Sequence, residues 1–153
     1  MAQRQAGRVA RRSRVAAAIG VALSIAASSA SAHSYKFGDI AVGHLWAPPT
    51  TGGETDVFGP IFNSGQAGDA LLSASSDEAK QVVFRTGTRE AAATGAIDLP
   101  VGKPVSLASW GVHLRLVGLA HPLKQGDWVP IVLVFRNAGQ HQVKALVEKS
   151  PSE

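Results

Sequence analysis

Two strand-like runs, Val112–Leu119 and Trp128–Phe135, most constrain how this chain can fold. Apolar residues dominate both runs, and the segment His113–Leu116 alternates polar with apolar side chains, which is the period of a half-buried strand. Pro122 and Gly126 lie between the runs, and both residue types favour turns. The region therefore predicts two β-strands joined by a polar turn.

The same pattern of short apolar runs separated by Gly, Pro, Asn, Asp and Ser continues through the chain, and it favours an all-β sandwich or barrel. Further strands are predicted at 35–42, 45–47, 57–63, 70–75, 81–85, 92–97, 104–107 and 142–147. Only Ser76–Val82 indicates a helical turn, with Ser76 or Asp77 as N-cap. Pro60 cannot donate to a ladder, so its strand is expected to be an edge strand or to carry a bulge.

The first 32 residues have the organisation of a secretory signal peptide. Five arginines precede residue 15, the largely apolar run Val15–Ala27 follows, and Ala30-Ser31-Ala32 provides a small-residue cleavage site. The apolar run is shorter than the roughly 20 residues that a membrane-spanning helix needs. We therefore expect a leader at 1–32, one domain at 33–149, a disordered tail at 150–153, and no membrane span in the mature chain.

The basic charge of the chain belongs to this leader. Residues 33–153 contain ten of the fifteen basic residues and all eleven acidic ones. This balance gives no support for binding nucleic acid or an anionic membrane. The chain has no cysteine, and its single methionine is Met1. Thiolate ligands are thereby excluded, as are thioether ligands after leader removal.

No catalytic motif is evident in the sequence. It contains no nucleophile elbow, no Gly-rich phosphate loop and no His-Glu-x-x-His, and its aspartates show no paired spacing. We therefore expect a protein that is not an enzyme.

Five segments together resemble the PCu(A)C family of periplasmic copper chaperones. They are GHLWAPPT (43–50), FNSG (62–65), LLSASS (71–76), GVHLRLVGL (111–119) and PLKQGDWVPIVLVF (122–135). The resemblance covers essentially the whole mature chain. It implies a single-domain, cupredoxin-like antiparallel β-sandwich of Greek-key type, a periplasmic location, and a role in handling copper or delivering it to a membrane-bound cytochrome oxidase or another copper protein.

The family is understood to hold Cu(I) with two histidines and two methionines, and this chain keeps one residue of that set. The resemblance places a ligand at His113, but the following methionine position is Arg115, and the earlier His-x-Met falls on Arg85-Thr86-Gly87. A guanidinium cannot ligate a metal, whereas Cu(I) prefers soft donors. The family's copper site is therefore largely absent.

Three histidines are candidate metal ligands: His113, His33 and His44. His113 is either a ligand with partners from elsewhere or a strand histidine held in place by packing. His33 would become the amino terminus after cleavage, where its α-amine and imidazole could chelate Cu(II). The alternative is an unstructured first residue. For His44 the alternative is packing against Trp46.

Two functions remain open at this point. The first is a monomeric periplasmic copper chaperone that uses His113 with other nitrogen or oxygen ligands. The second is a family member that does not bind Cu(I) and serves as a protein- or anion-binding module. In the second, Arg85, Arg115 and His113 would form a positive patch.

Overall fold

The computed structural model describes residues 33–87 and 94–150, and within these ranges the regular structure is entirely β-strand. The twelve strands are β1 (Tyr35–Phe37), β2 (Ile40–Val42), β3 (Leu45–Ala47), β4 (Glu54–Val57), β5 (Gly59–Asn63), β6 (Asp69–Ser75), β7 (Ala79–Thr86), β8 (Ile97–Leu99), β9 (Val105–Leu107), β10 (Val112–Leu119), β11 (Trp128–Phe135) and β12 (Gly139–Val147). The predicted leader, residues 88–93 and most of the predicted tail lie outside the described residues.

The strands form three sheets that share one core. Their orders are β1-β2-β5-β9, β4-β10-β7 and β3-β12-β11-β6-β8. All of the strand pairs are antiparallel except β12 with β3, which run parallel. This arrangement is the predicted antiparallel β-sandwich, and it confirms the predicted fold class.

The alternation along β11 shows why this sequence packs as a sandwich. Its residues Val129, Ile131, Leu133 and Phe135 are buried, while the residues between them are at least partly exposed. Successive strand side chains point to opposite faces, so this period buries one continuous apolar row. The row joins a hydrophobic cluster to which most strands contribute, β10 through Leu114 and Leu116.

The two strands that anchored the sequence prediction, β10 and β11, have the predicted bounds. Two other predicted strands are each divided in two. The run 35–42 turns back on itself at Gly38, where φ is 59°, and forms the β1–β2 hairpin. The run 57–63 is interrupted between β4 and β5, next to Gly59, where φ is 141°. A period-two pattern does not reveal these bends, because the apolar alternation resumes after each one.

The helical turn predicted at Ser76–Val82 is wrong. The chain makes a short turn at Asp77–Glu78, and β7 begins at Ala79. Ser76 still uses its capping chemistry, because its hydroxyl accepts a hydrogen bond from the Glu78 amide at 3.2 Å. β7 pairs with β10 from Ala79 to Thr86. This pairing holds the segment in an extended conformation, although its local sequence favours a helical turn.

Of the two alternatives expected at Pro60, an edge strand or a bulge, the edge strand is wrong. Strand β5 lies inside its sheet, between β2 and β9. Pro60 is tolerated there because the register between β5 and β2 covers Ile61 to Asn63 and does not include Pro60. Its carbonyl oxygen still accepts a hydrogen bond from the Gly43 amide at 2.9 Å.

We predict that Gly59→Ala lowers the free energy of unfolding by about 2 kcal/mol or more, because a side chain is strained at this positive φ. A Cβ atom would in addition lie 2.5 Å from the backbone oxygen of His44. Gly52→Ala is the matched control, since its φ is 144° but a Cβ there would meet nothing within 4 Å. Urea unfolding of both variants measures the difference, and equal losses would show that the contact with His44 has no effect.

A buried carboxylate, Asp69, closes the turn between β11 and β12. Its oxygens accept hydrogen bonds from the backbone amides of Ala70, Asn137 and Ala138 at 2.7 to 3.0 Å. Burial acts to raise the pKa of Asp69, but these amides outweigh it and hold the pKa below its usual value. The ionised form therefore stabilises the folded state.

Because the folded pKa of Asp69 is lowered, its contribution to stability is present above the unfolded value near 3.8 and is lost as the pH falls through the folded value. We predict that Asp69→Asn costs about 2 kcal/mol at pH 7, since hydrogen bonds to charged groups contribute about that much. The cost should shrink as the pH is lowered below 4. Thermal melts of both proteins at pH 7 and pH 3 measure this, and an unchanged difference would contradict it.

Candidate functional site

The candidate site lies on β10, the central strand of the three-stranded sheet. In the register of this sheet, Arg115 lies opposite Asp56 of β4, and His113 lies opposite Arg85 of β7. His113 and Arg115 are two residues apart and share one face of the strand, whereas Leu114 and Leu116 between and after them belong to the core. Antiparallel pairing thus brings a histidine, two arginines and a carboxylate together.

Arg115 and Asp56 form an ion pair in which the guanidinium is buried and the carboxylate is partly exposed. Arg115 donates from Nε to Asp56 Oδ1 at 2.7 Å and from Nη2 to Oδ2 at 3.1 Å. Its side chain is only 6% exposed, against 25% for Asp56. The hydrogen bond to Asp56 raises the pKa of Arg115 above its ordinary value despite burial, and the nearby charges of Asp56 and Glu54 add to this.

His113 is held in one orientation by its surroundings. The residue is 1% exposed, and its ring lies 5.9 Å from the ring of Phe58. Its Nδ1 is 3.1 Å from the Gly111 carbonyl oxygen. A carbonyl oxygen only accepts, so Nδ1 carries the proton, and Nε2 of the neutral ring keeps its lone pair.

The Nε2 atom of His113 is a feature of the site that suggests a ligand. It is buried and has no hydrogen-bond partner among residues 33–87 and 94–150. It lies 3.6 Å from Asp56 Oδ1, the same oxygen that Arg115 Nε contacts. An imidazole lone pair and a carboxylate oxygen are donors of the kind that divalent metal ions accept, and these two atoms lie close enough to approach one cation.

The other two candidate histidines lie elsewhere and contact different groups. The His33 ring packs edge-on against Trp128, with 4.9 Å between the ring centroids. The His44 Nε2 atom is 2.8 Å from Glu148 Oε1. The Trp46 ring packs against the ring of Phe58, with 4.9 Å between the centroids, and the described contact of the His44 ring nitrogen is with Glu148.

Within the described ranges, no group of three or more His, Asp or Glu residues is placed to hold a metal ion. A soft Cu(I) site does not fit this chain, because residues 33–153 contain neither methionine nor cysteine. Arg115 adds a second obstacle. Its Nε lies within about 6 Å of His113 Nε2, and unit positive charges at that distance repel by roughly 3 kcal/mol at an effective dielectric constant of about 20.

A cleft of about 530 Å³ is lined by residues that do not include His113, among them Asn63, Asp69 and His141. Its buried polar residues already serve the fold. Asp69 holds the β11–β12 turn, and Asn63 donates to the carbonyl oxygens of Ala67 and Leu99. We assign no site to this cleft, because the side chains of Asp69 and Asn63 already have hydrogen-bond partners within the fold, whereas His113 Nε2 has none among the described residues.

The sequence predicted two of the three neighbours of His113, namely Arg85 and Arg115. It missed Asp56, which lies just before the predicted strand 57–63. The available signal was the short segment Glu54–Val57, in which buried Thr55 and Val57 alternate with the two acids. The partner of that strand could not be read from the sequence, because Asp56 and Arg115 are 59 residues apart.

The comparisons with known proteins agree with this architecture. Residues 40–147, well over half of the chain, match the family model described as "Putative lipoprotein LpqE-like". The chain belongs to this family, which is the PCuAC family. Among curated proteins, "Putative lipoprotein Lxx21020" of Leifsonia xyli subsp. xyli (strain CTCB07) is 27% identical over 115 residues, which cover 71% of this chain and 69% of the relative.

Solved PCuAC domains share the fold. The copper-bound PCuAC domain from PmoF2 is 29% identical with a TM-score of 0.68, covering 77% of this chain and 99% of that domain. The apo domain from PmoF1 has a TM-score of 0.71 at 22% identity, covering 77% and 100%. CuI-DR1885 from Deinococcus radiodurans has a TM-score of 0.59 at 23% identity, covering 82% and 87%. The last two likenesses show the fold alone.

We predict that Asp56→Asn lowers the free energy of unfolding by about 2 kcal/mol, because it removes the negative charge that accepts two hydrogen bonds from the buried Arg115 guanidinium. The value is below that of a fully buried pair, since Asp56 remains partly exposed. Glu148→Gln, which weakens the more exposed pair with His44, is the control and should cost less than about 1 kcal/mol. Denaturant unfolding compares them, and similar losses would mean that burial of Arg115 adds nothing.

Proposed function

We propose that this chain is an exported copper-handling protein of the chaperone type, and that it does not act as an enzyme. The observation that carries the proposal is the buried Nε2 atom of His113, without a hydrogen-bond partner among the described residues and 3.6 Å from Asp56 Oδ1. It occurs in a PCuAC domain, and a 29% identical domain of that family was solved with copper bound.

The donors present determine the kind of copper that we propose. An imidazole nitrogen and a carboxylate oxygen suit Cu(II) better than Cu(I), which prefers sulfur. His113 and Asp56 are the residues that would hold the copper ion, which is the cargo of the protein. Burial would keep solvent away from His113, and the Gly111 carbonyl oxygen fixes its tautomer so that Nε2 presents the lone pair.

His33 and His44 are further candidates within the same proposal. His33 would combine an α-amine with an imidazole if the leader ends at Ala32, and its ring already rests on Trp128. His44 would have to exchange its contact with Glu148 for the metal. His113 is preferred, because its Nε2 atom is buried and has no hydrogen-bond partner within the part of the chain that the structure describes.

Export and delivery complete the proposal. The relative from Leifsonia xyli is named a lipoprotein, which is consistent with an exported family, and residues 1–32 have the composition of a cleavable leader. No helix in the described part of the chain is long and apolar enough to span a membrane. We propose that the monomeric mature protein works in the periplasm and passes copper to a membrane-bound cytochrome oxidase or another copper protein.

A second candidate function is favoured by one observation, the ion pair of Arg115 with Asp56. A buried guanidinium at this place argues for a scaffold that has given up Cu(I) and now binds an anion or an acidic protein surface. Arg115 already has a carboxylate partner, so an external anion would have to compete with Asp56. Copper handling therefore remains the better-supported proposal.

We predict that the purified protein binds Cu(II) through His113. Titration with Cu(II) and separately with Cu(I), each against a competing chelator, should show a Cu(II) complex that His113→Phe weakens by about tenfold or more. Phenylalanine keeps an aromatic ring beside Phe58 but has no ring nitrogen. His33→Phe and His44→Phe test the other candidates, and Cu(II) binding that none of the three reduces would refute the proposal.

A further inference from the structure

One carboxylate oxygen of the site, Asp56 Oδ1, lies close to both Arg115 and His113. Asp56 Oδ1 is 2.7 Å from Arg115 Nε and 3.6 Å from His113 Nε2. The shorter contact is a charge-assisted hydrogen bond with good geometry, and the longer one is not a hydrogen bond. Asp56 therefore binds Arg115, although Asp56 Oδ1 also lies where it could contact a cation bound to His113 Nε2.

The surroundings of His113 are already rich in positive charge. Arg115 lies two residues along the same strand, and Arg85 lies opposite His113 on β7. Among the described residues, the negative charges of Asp56 and Glu54 both act on Arg115. A metal ion that reached His113 would meet a guanidinium on the oxygen that it needs as its second donor.

We infer that Arg115 acts as a built-in cation, which occupies Asp56 in place of a metal ion and keeps the affinity of the His113 position for copper low. This inference deepens the proposed function, on which it rests. Arginine does not lose its proton at any ordinary pH, so the obstacle persists unless the side chain swings away. Arg115 is then an affinity-determining residue and not a ligand.

Four variants separate the effect of the positive charge of Arg115 on copper affinity from the effect of its packing. Arg115→Gln removes the positive charge but keeps a long polar side chain that can donate to Asp56. Arg115→Leu removes the charge with an apolar side chain. Arg115→Lys keeps the charge and is the matched control. His113→Phe combined with Arg115→Gln shows whether binding that is gained depends on the histidine nitrogen.

Cu(II) and Cu(I) ions are each titrated into these variants and the unchanged protein against a competing chelator, with circular dichroism as the check on folding. Arg115→Gln and Arg115→Leu should bind Cu(II) about tenfold tighter or more, since a nearby positive charge is gone. Arg115→Lys should stay close to the unchanged protein, and the double variant should lose the gain. Nitrogen hyperfine splitting in the electron paramagnetic resonance spectrum should accompany the gain and vanish with the histidine.

The outcomes distinguish this inference from the proposed function. If the neutral variants bind no tighter than the unchanged protein, or if Arg115→Lys gains as much as they do, the inference is overturned. The proposal of copper handling then still stands wherever the unchanged protein binds through His113. If the unchanged protein binds no copper while Arg115→Gln binds it through His113, the inference holds and the proposed function fails.

Discussion

The pairing of β10 between β4 and β7 is the constraint on which the rest of the site depends. Its apolar residues Leu114 and Leu116 anchor the strand in the core. Because side chains alternate along a strand, anchoring these two forces His113 and Arg115 together onto the opposite face. The hydrophobic effect thereby buries two polar side chains whose burial by itself costs free energy.

Burial of that second face determines which polar contacts are allowed. A buried guanidinium needs a counter-ion, and Asp56 supplies it from the neighbouring strand with two hydrogen bonds. A buried imidazole needs at least one partner, and the Gly111 carbonyl oxygen supplies it at Nδ1. The other ring nitrogen, His113 Nε2, lies 3.6 Å from Asp56 Oδ1, which accepts a hydrogen bond from Arg115 Nε. The chemistry of the site depends on which of the two groups Asp56 contacts.

The family fold and the local chemistry therefore carry different information. The sandwich, matched by PCuAC domains at TM-scores up to 0.71, reflects the apolar rows of the strands and the turns between them. Those features do not depend on His113 or Arg115, because these two side chains lie on the face of β10 opposite to the core residues Leu114 and Leu116. A resemblance along the whole chain therefore indicates the fold, and the chemistry of this face has to be argued from its own residues.

From the sequence alone, the period-two runs predicted β10 and β11 with their bounds, and composition excluded sulfur ligands, since the only methionine is Met1 and cysteine is absent. The register determined the rest. It placed Asp56 opposite Arg115 and left His113 Nε2 without a partner among the described residues. Asp56 and Arg115 are 59 residues apart, and pairing over such a distance is decided by how the whole core packs, which no local pattern encodes.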